Sequence, residues 1–271
     1  MFFSWYKKFS SQPHQPFFTS GILFLILFMS LFVSVYSNFL VLDNSVLTYH
    51  AYTMVFVIFI QFFLGFLFVV FPRFLIQAEI QIQEYMKQFL LYFFASLGIF
   101  LTLIFYSKVT FIFQILMLIA QIMSFKLLYS IHKKSIVKVK EDTKWVLISL
   151  FSGLVFHSLF IISSLNFPYA YELSRFAIDG GFYLFLFMVI FVISQRMIPF
   201  FTTAKVPNYV ANKSVNLLTI IFSLLAFKVI LLAFDNAKLN LLADIPLFIM
   251  ITRELIKWKL PFFKSPAIMW V

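Results

Sequence analysis

A long apolar run without a charge, within Tyr49–Phe74, constrains this chain more than any other feature of its sequence. Within this stretch the first charged residue is Arg73, and the run ends at the Pro72-Arg73 pair. A helix needs about 20 mostly apolar residues to cross the hydrocarbon core of a bilayer, so this run is predicted to be a transmembrane helix. One face of that helix carries polar, small or sulfur-containing side chains at helical spacing: His50, Thr53, Met54, Val57, Gln61 and Gly65. A helix surrounded by lipid needs no such stripe, and we therefore expect this helix to face other helices.

The composition extends this conclusion to the whole chain. Hydrophobic residues make up 63% of the 271 residues and charged residues 11%, whereas soluble domains are nearer half apolar and a quarter charged. The predicted fold class is therefore all-α, a polytopic bundle of membrane-spanning helices forming a single transmembrane domain. The chain has no cysteine, which excludes disulfides, iron–sulfur ligation and covalent attachment of a c-type haem.

Eight apolar runs are long enough to be read as spans. Their predicted bounds are about 17–40, 50–71, 88–106, 110–130, 145–165, 177–198, 214–234 and 239–257. If the N-terminus is inside, nearly all of the 21 lysine and arginine residues fall in inner loops, as the positive-inside rule requires. Both termini are therefore predicted to be inside. The net charge of +11 is explained by topology, and we expect no binding to nucleic acid. The segment between the second and third spans is predicted to lie at the membrane interface.

Ionisable or polar side chains inside several spans are the main candidates for function. Each charge costs about 2.5–3.5 kcal/mol to insert, so it is taken as functional by default. With the predicted topology these candidates fall in the outer half of the membrane: His50, Tyr52, His157, Asp179, Lys228 and Asp244. The pattern predicts a polar cavity open to the outer face. Arg196, in contrast, lies at an inner helix end.

Each candidate also has a structural interpretation. His157 could donate to a backbone carbonyl one turn back, and Asp179 stands at a helix start, where a carboxylate is favourable. Lys228 could extend its amine toward the surface, or pair with Asp179 or Asp244. His50 could act as an interfacial cap. Three amide side chains in the spans are predicted to bridge helices: Gln61, Gln114 and Gln121.

Four stretches, in order along the chain, are similar to conserved stretches of the NnrS family. Gln15–Phe18 is similar to an Arg-Pro-Phe-Phe sequence before the first span, and Tyr49–Met54 to Trp-His-Ala-His-Glu-Met. Arg196–Thr202 is similar to Arg-Val-Ile-Pro-x-Phe-Thr, and Ser265–Val271 to a later Pro-Leu-Leu-Trp-Val at a helix start. The resemblance implies a multi-pass protein of the bacterial inner membrane, with haem and copper, that belongs to the nitric-oxide response. The family usually has about twelve helices, so the chain is expected to be truncated after its eighth span.

The resemblance also implies cofactor ligands. Haem b would use His50 and His157 as axial ligands, or a single histidine with another group. Arg196 would anchor a helix end or a propionate. Copper would be held by the two histidines and Met54, although a methionine on a helix face more often serves packing. The chain departs from the family at Tyr52, where a histidine is expected. It departs further at Thr53 and Asp179, which stand where the family pattern has a glutamate and a histidine, so a member without a cofactor is an alternative.

Three functions follow as hypotheses. The first is an NnrS-like protein that binds haem, and copper, at an outward-facing site and takes nitric oxide as a ligand. The second is a transporter or channel for a polar solute or proton that uses Asp179, Asp244 and Lys228. The third is a membrane partner protein without chemistry of its own. The sequence indicates no catalytic residue, leaves open whether the chain is an enzyme, and identifies no partner beyond the lipid bilayer. It does not indicate an oligomeric state.

Overall fold

The computed structural model describes residues 2–42, 45–165, 167–206, 208–210, 212 and 214–259, and in these residues it is helical with no strand. The helices are α1 (Phe2–Phe9), α2 (His14–Tyr36), α3 (Val46–Phe74), α4 (Ile82–Phe105), α5 (Thr110–Lys134), α6 (Glu141–Ser163), α7 (Ala170–Ala204), α8 (Leu217–Leu232) and α9 (Ala237–Lys257). A short 3-10 turn, Ser107–Val109, precedes α5. The predicted all-α class is confirmed.

Six of these helices, α2 to α7, are long and apolar enough to cross a membrane. They correspond to the first six predicted spans and confirm a polytopic membrane bundle. The last two predicted spans correspond to α8, with 16 residues, and α9, with 21. Whether these two helices also cross the membrane stays a prediction. The expected start of a further helix at 261–271 lies outside the described residues.

Several helices begin earlier than their apolar runs indicate, and α4 and α7 differ most. Helix α4 starts at Ile82 instead of residue 88, and α7 starts at Ala170 instead of residue 177. In both cases the added turns carry an acidic residue near the helix start, Glu84 or Glu172, where the helix dipole favours a negative charge. The hydropathy of a segment marks the part within lipid, while the helix itself continues into the interface.

Helix α3 is the central element of the bundle. Of its most apolar window, 61% is buried, against 28% for the same measure in α2. It packs against α2 along its length, and it also contacts α5 and α7. The prediction that this helix faces other helices is confirmed by the complete burial of Tyr52, Phe56, Gln61 and Leu64.

A π-turn interrupts α3 at Met54–Ile58, and another interrupts α7 at Gly181–Phe187. The two π-turns contact each other. Gly181 permits this contact, because a methyl group in its place would overlap the ring of Phe56 and meet a methyl of Val55 at 2.9 Å. Such turns replace the regular i→i−4 bonding and are frequent at functional sites. The candidate site begins at the π-turn of α3.

Candidate functional site

His157, in the second half of α6, is at the centre of a buried polar group. Its ring is fully buried and stacks on the ring of Phe56, with centroids 4.8 Å apart. Its Nε2 lies 3.0 Å from the hydroxyl oxygen of Tyr52, and its Nδ1 lies 2.8 Å from Oε1 of Gln121. Both ring nitrogens therefore already have a hydrogen-bond partner inside the protein.

Gln121 connects this histidine to the π-turn of α3. Its Nε2 donates to the carbonyl oxygen of Phe56 at 3.0 Å, while its Oε1 faces His157. One side chain of α5 thus holds α3 and α6 together at a depth where no water competes for these groups. The prediction that Gln121 bridges helices is confirmed.

Further neutral polar side chains form hydrogen bonds where α3, α4 and α5 meet. Together with Tyr52, His157 and Gln121 they form a buried polar seam. Gln61 donates to the hydroxyl of Ser96 at 3.1 Å, and Ser124 donates to Oε1 of Gln88 at 2.6 Å. The hydroxyl of Tyr92 lies 3.2 Å from that of Ser124. Small and amide side chains are the usual polar contacts between membrane helices. Gln61 bridges helices as predicted, whereas the other four residues were not recognised from the sequence.

Gln114 lies beside Tyr49 of α3, whose hydroxyl is near enough to interact with its amide. It is completely buried, and neither its Nε2 nor its Oε1 makes a hydrogen bond of normal geometry among the described residues. It lies on the same helix as Gln121, seven positions earlier, and therefore on a similar face. Spacing alone cannot distinguish these two amides, since the difference depends on which groups the neighbouring helices place beside them.

His50 lies apart from His157. Its ring packs 4.3 Å from that of Phe32 on α2, and its Nδ1 is buried with no hydrogen-bond partner in the described part of the chain. Residues two apart on a helix project in nearly opposite directions, so His50 points away from Tyr52 and hence from His157. The structure therefore does not bring the two predicted axial ligands together.

Met54 follows His50 by one regular helical turn. Its backbone N–H donates to the carbonyl of His50, so the two side chains leave α3 from the same face. The cavity that His50 lines has a volume of about 20 Å³ and is otherwise walled mainly by apolar side chains such as Leu31 and Leu103. This is room for an ion or a water molecule.

A second polar group joins α7, α8 and α9. Lys228 forms an ion pair with Asp244, as one of the two predicted alternatives stated, and its amine lies 5.2 Å from the ring centre of Tyr183. Asp179 is near enough to Lys228 and Arg175 to interact with their charges. No hydrogen bond or ion pair links this group to His157 across the described ranges.

Arg196 is at the opposite end of α7, as predicted. Its Nη1 lies 2.8 Å from Oδ2 of Asp142, and its guanidinium lies 4.0 Å above the ring of Phe74. Gln195 donates to the other carboxylate oxygen of Asp142 at 2.6 Å. Asp142 was not predicted as a site residue, because lysines dominate the loop before α6; its position in the first turn of α6 was the available signal.

A cavity of about 1120 Å³ adjoins Arg196 at this end, with Trp145 and Phe200 among its walls. It lies at the end of the bundle predicted to be inside, whereas the sequence predicted a polar cavity at the outer end. No histidine is among the described residues that line it. Arg196 is therefore separated from both candidate histidine ligands.

The fit of the implied cofactors follows from these positions. Over the described residues, no three His, Asp or Glu side chains are grouped so as to hold a metal ion. A porphyrin does not fit between His50 and His157, since His157 has no free nitrogen and the cavity at His50 is about 20 Å³, against roughly 300–1,000 Å³ for sites that hold drug-sized ligands. The cavity at His50 has room for a single ion beside the unpartnered Nδ1, although Met54, on the same face of α3, is not among the residues that line it.

Together these features define a polytopic α-helical membrane protein with a neutral polar seam buried beside a π-turn. The family model for the NnrS protein matches residues 8–271, and the chain belongs to the NnrS family. A search of curated proteins found no match, and a search of solved structures found none either. The family resemblance noted in the sequence is thereby confirmed.

Proposed function

We propose that this chain is a bacterial inner-membrane protein of the nitric-oxide response and that it holds copper at His50. One observation carries the proposal: the buried, unpartnered Nδ1 of His50. A buried nitrogen without a partner costs about 1–3 kcal/mol, and such a group in a native structure calls for an explanation. A bound metal ion would satisfy it.

The donor set favours copper over harder metals. Imidazole is a good ligand for copper, and the thioether of methionine selects the soft Cu(I) ion. His50 and Met54 are one turn apart on α3, and Phe32 packs against the imidazole ring. Copper bound there would supply a one-electron centre with affinity for nitric oxide. The contribution of the chain is to hold the ion on a rigid helix at the predicted outer end.

The proposal does not include haem bound between His50 and His157. The resemblance implied axial ligation by His50 and His157, but both nitrogens of His157 are hydrogen-bonded and the two rings lie on opposite sides of α3. Arg196 pairs with Asp142 at the far end of α7. We assign Arg196 to the packing of helix ends instead of to a propionate.

Copper affinity of the purified protein tests the proposal. Competition with a chromophoric Cu(I) chelator under anaerobic conditions should show binding by the wild type. His50→Ala should weaken that binding by at least about tenfold, and Met54→Leu by less, because the imidazole is the stronger ligand. His14→Ala is the matched control, since His14 lies at the opposite end of α2 against Phe18. Equal affinity in the wild type and His50→Ala would contradict the proposal.

The role in the nitric-oxide response is tested separately in cells. A strain lacking the chain should regain tolerance of a nitric-oxide donor with the wild-type gene and with His14→Ala. It should not regain tolerance with His50→Ala at equal membrane abundance. Full protection by His50→Ala would separate the physiological role from the copper site.

A transporter for a polar solute or proton is the second candidate, and Asp179 favours it. This carboxylate lies within α7 and makes no hydrogen bond or ion pair in the part of the chain that the structure describes, although Lys228 and Arg175 are near. Intramembrane carboxylates mark proton or solute pathways in membrane proteins. Uptake into proteoliposomes that Asp179→Asn abolishes would favour this function, while uptake that Asp179→Asn leaves unchanged would remove it.

A further inference from the structure

We infer that Tyr52 caps His157: its hydroxyl occupies the nitrogen lone pair through which this histidine would bind a metal, and Tyr52 thereby determines that His157 is a structural residue. The inference concerns the π-turn side of α3 and does not depend on copper at His50. It rests on four groups in a row, which are the hydroxyl of Tyr52, the ring of His157, the amide of Gln121 and the carbonyl of Phe56.

The carbonyl of Phe56, at one end of the row, determines which group donates in each of these hydrogen bonds. The carbonyl oxygen of Phe56 can only accept, so the amide group 3.0 Å from it must be the NH₂ of Gln121. The oxygen of the same amide must then face Nδ1 of His157, 2.8 Å away. Rotating the amide by half a turn would place two oxygens against each other at Phe56.

The protonation of the histidine follows. An amide oxygen only accepts, so Nδ1 of His157 carries the proton. The ring is fully buried and both of its hydrogen-bond partners are neutral side chains, so it is neutral. In a neutral imidazole the other nitrogen is then an acceptor. The hydroxyl of Tyr52, 3.0 Å from Nε2, must donate to it. The four groups form one directed chain in which Tyr52 donates to His157, His157 to Gln121, and Gln121 to Phe56.

This arrangement is the one that metal-binding histidines use, with one difference. A ligating histidine usually donates its second N–H to an oxygen acceptor, which fixes the ring and its tautomer. Gln121 supplies that acceptor here, and Nε2 presents its lone pair on the other side. The position that a metal would take is instead filled by the hydroxyl oxygen of Tyr52.

Packing keeps Tyr52 in that position. Its side chain is fully buried, and its ring stacks on Phe160 with centroids 4.4 Å apart and planes within 18°. The ring of Tyr49 meets it edge-on at 6.2 Å. The hydroxyl cannot turn away from His157 unless these rings also move, so the cap does not open by a side-chain rotation alone.

Nitrogen-15 NMR of histidine-labelled protein in nanodiscs tests the tautomer directly. The chain has four histidines, and loss of a signal in His157→Gln assigns the resonance. We expect a neutral ring protonated at Nδ1, with an Nε2 shift that moves in Tyr52→Phe as its hydrogen bond is lost. A ring protonated at Nε2, or an Nε2 shift that Tyr52→Phe leaves unchanged, would overturn the inference.

Metal binding tests the consequence, with Cu(I) as the probe and every variant in a His50→Ala background so that the proposed copper site is absent. We expect no binding that depends on His157 while Tyr52 is present. Tyr52→His should raise Cu(I) affinity by at least about tenfold, and adding His157→Gln should abolish the gain. Tyr49→His, one turn from the cap, is the control for a new histidine in this region and should show no gain.

Two results would overturn the capping role. One is Cu(I) binding that requires His157 in protein with Tyr52 intact, and the other is no gain of binding in a folded Tyr52→His variant. Folding is checked by a single gel-filtration peak and by the retained Nδ1 signal of His157. Because His50 is absent throughout, failure here leaves the proposed copper site untouched, and failure of that site leaves Tyr52 untouched.

Discussion

Single glycines set how closely the phenylalanine-rich helices of this bundle approach each other. A methyl group added at Gly98 of α4 would overlap the ring of Phe113 on α5. At Gly21 of α2 a methyl would lie 3.0 Å from the ring of Phe62, a tight contact that a small shift of the ring relieves. The chain has 42 phenylalanines and 6 glycines. At both glycines a phenylalanine ring packs against the space that a side chain would otherwise fill.

These two glycines lead to a matched prediction. Gly98→Ala should destabilise the folded protein by about 1–3 kcal/mol, because the ring of Phe113 must leave its place in a packed interface. Gly21→Ala should change stability much less, since the gain of about 1 kcal/mol in helix propensity offsets the cost of a small shift of the Phe62 ring. Thermal unfolding in the same detergent measures both, and equal melting temperatures for the two variants would be evidence against this packing.

Residue identity also explains why the site was only partly predictable. His50 and His157 were both recognised as candidates from their places in apolar spans; His157 is fully buried, whereas His50 is partly exposed with a buried Nδ1. Their separation could not be seen, because it depends on the opposite directions of His50 and Tyr52 on α3 and on which one meets α6. The cap by Tyr52 was missed for the same reason, since a tyrosine in an apolar run carries no signal of its partner.

At the scale of elements, α3 is held at its π-turn by the amide of Gln121. The turn was not predicted, because i→i−5 bonding depends on neighbours that a periodic sequence pattern does not reveal. The stripe on α3 did predict that the helix faces others. What the stripe could not indicate is that Phe56, outside the stripe, supplies the carbonyl to which α5 binds.

A pair of substitutions on α5 tests this role. Gln121→Leu should destabilise the protein by about 1–3 kcal/mol, because it leaves the N–H of His157 and the carbonyl of Phe56 unsatisfied in a dry interior. Gln114→Leu should cost clearly less, as its amide is near the Tyr49 hydroxyl but makes no hydrogen bond of normal geometry among the described residues. The measurement is the free energy of unfolding in detergent. Similar losses in both variants would argue against the bridge.

At the scale of the whole molecule, hydropathy and charge predicted most of the architecture. Helices α2 to α7 match the first six predicted spans, with ends that differ where a helix extends into the interface. The loops were interpreted only through their lysine and arginine residues. The ion pair between Asp142 and Arg196 was therefore not predicted. The placement of the two polar groups at the predicted outer end rests on the topology, which can be measured.

The absence of cysteine from the chain makes that measurement simple. In intact spheroplasts a membrane-impermeant maleimide should label Lys108→Cys, in the exposed turn before α5. It should label Lys138→Cys, in the exposed loop before α6, only after lysis, because the positive-inside rule places that loop in the cytoplasm. The reverse pattern would place His50 and Asp179 at the inner face.

The optical spectrum and metal content of the purified protein test the central claim most directly. Protein from cells supplied with copper and a haem precursor should contain copper that His50→Ala removes, and it should show no Soret band that depends on His157. That result would follow from the free nitrogen of His50 and the capped nitrogen of His157. A Soret band that shifts with reduction or nitric oxide and disappears in a folded His157→Gln variant would contradict the account.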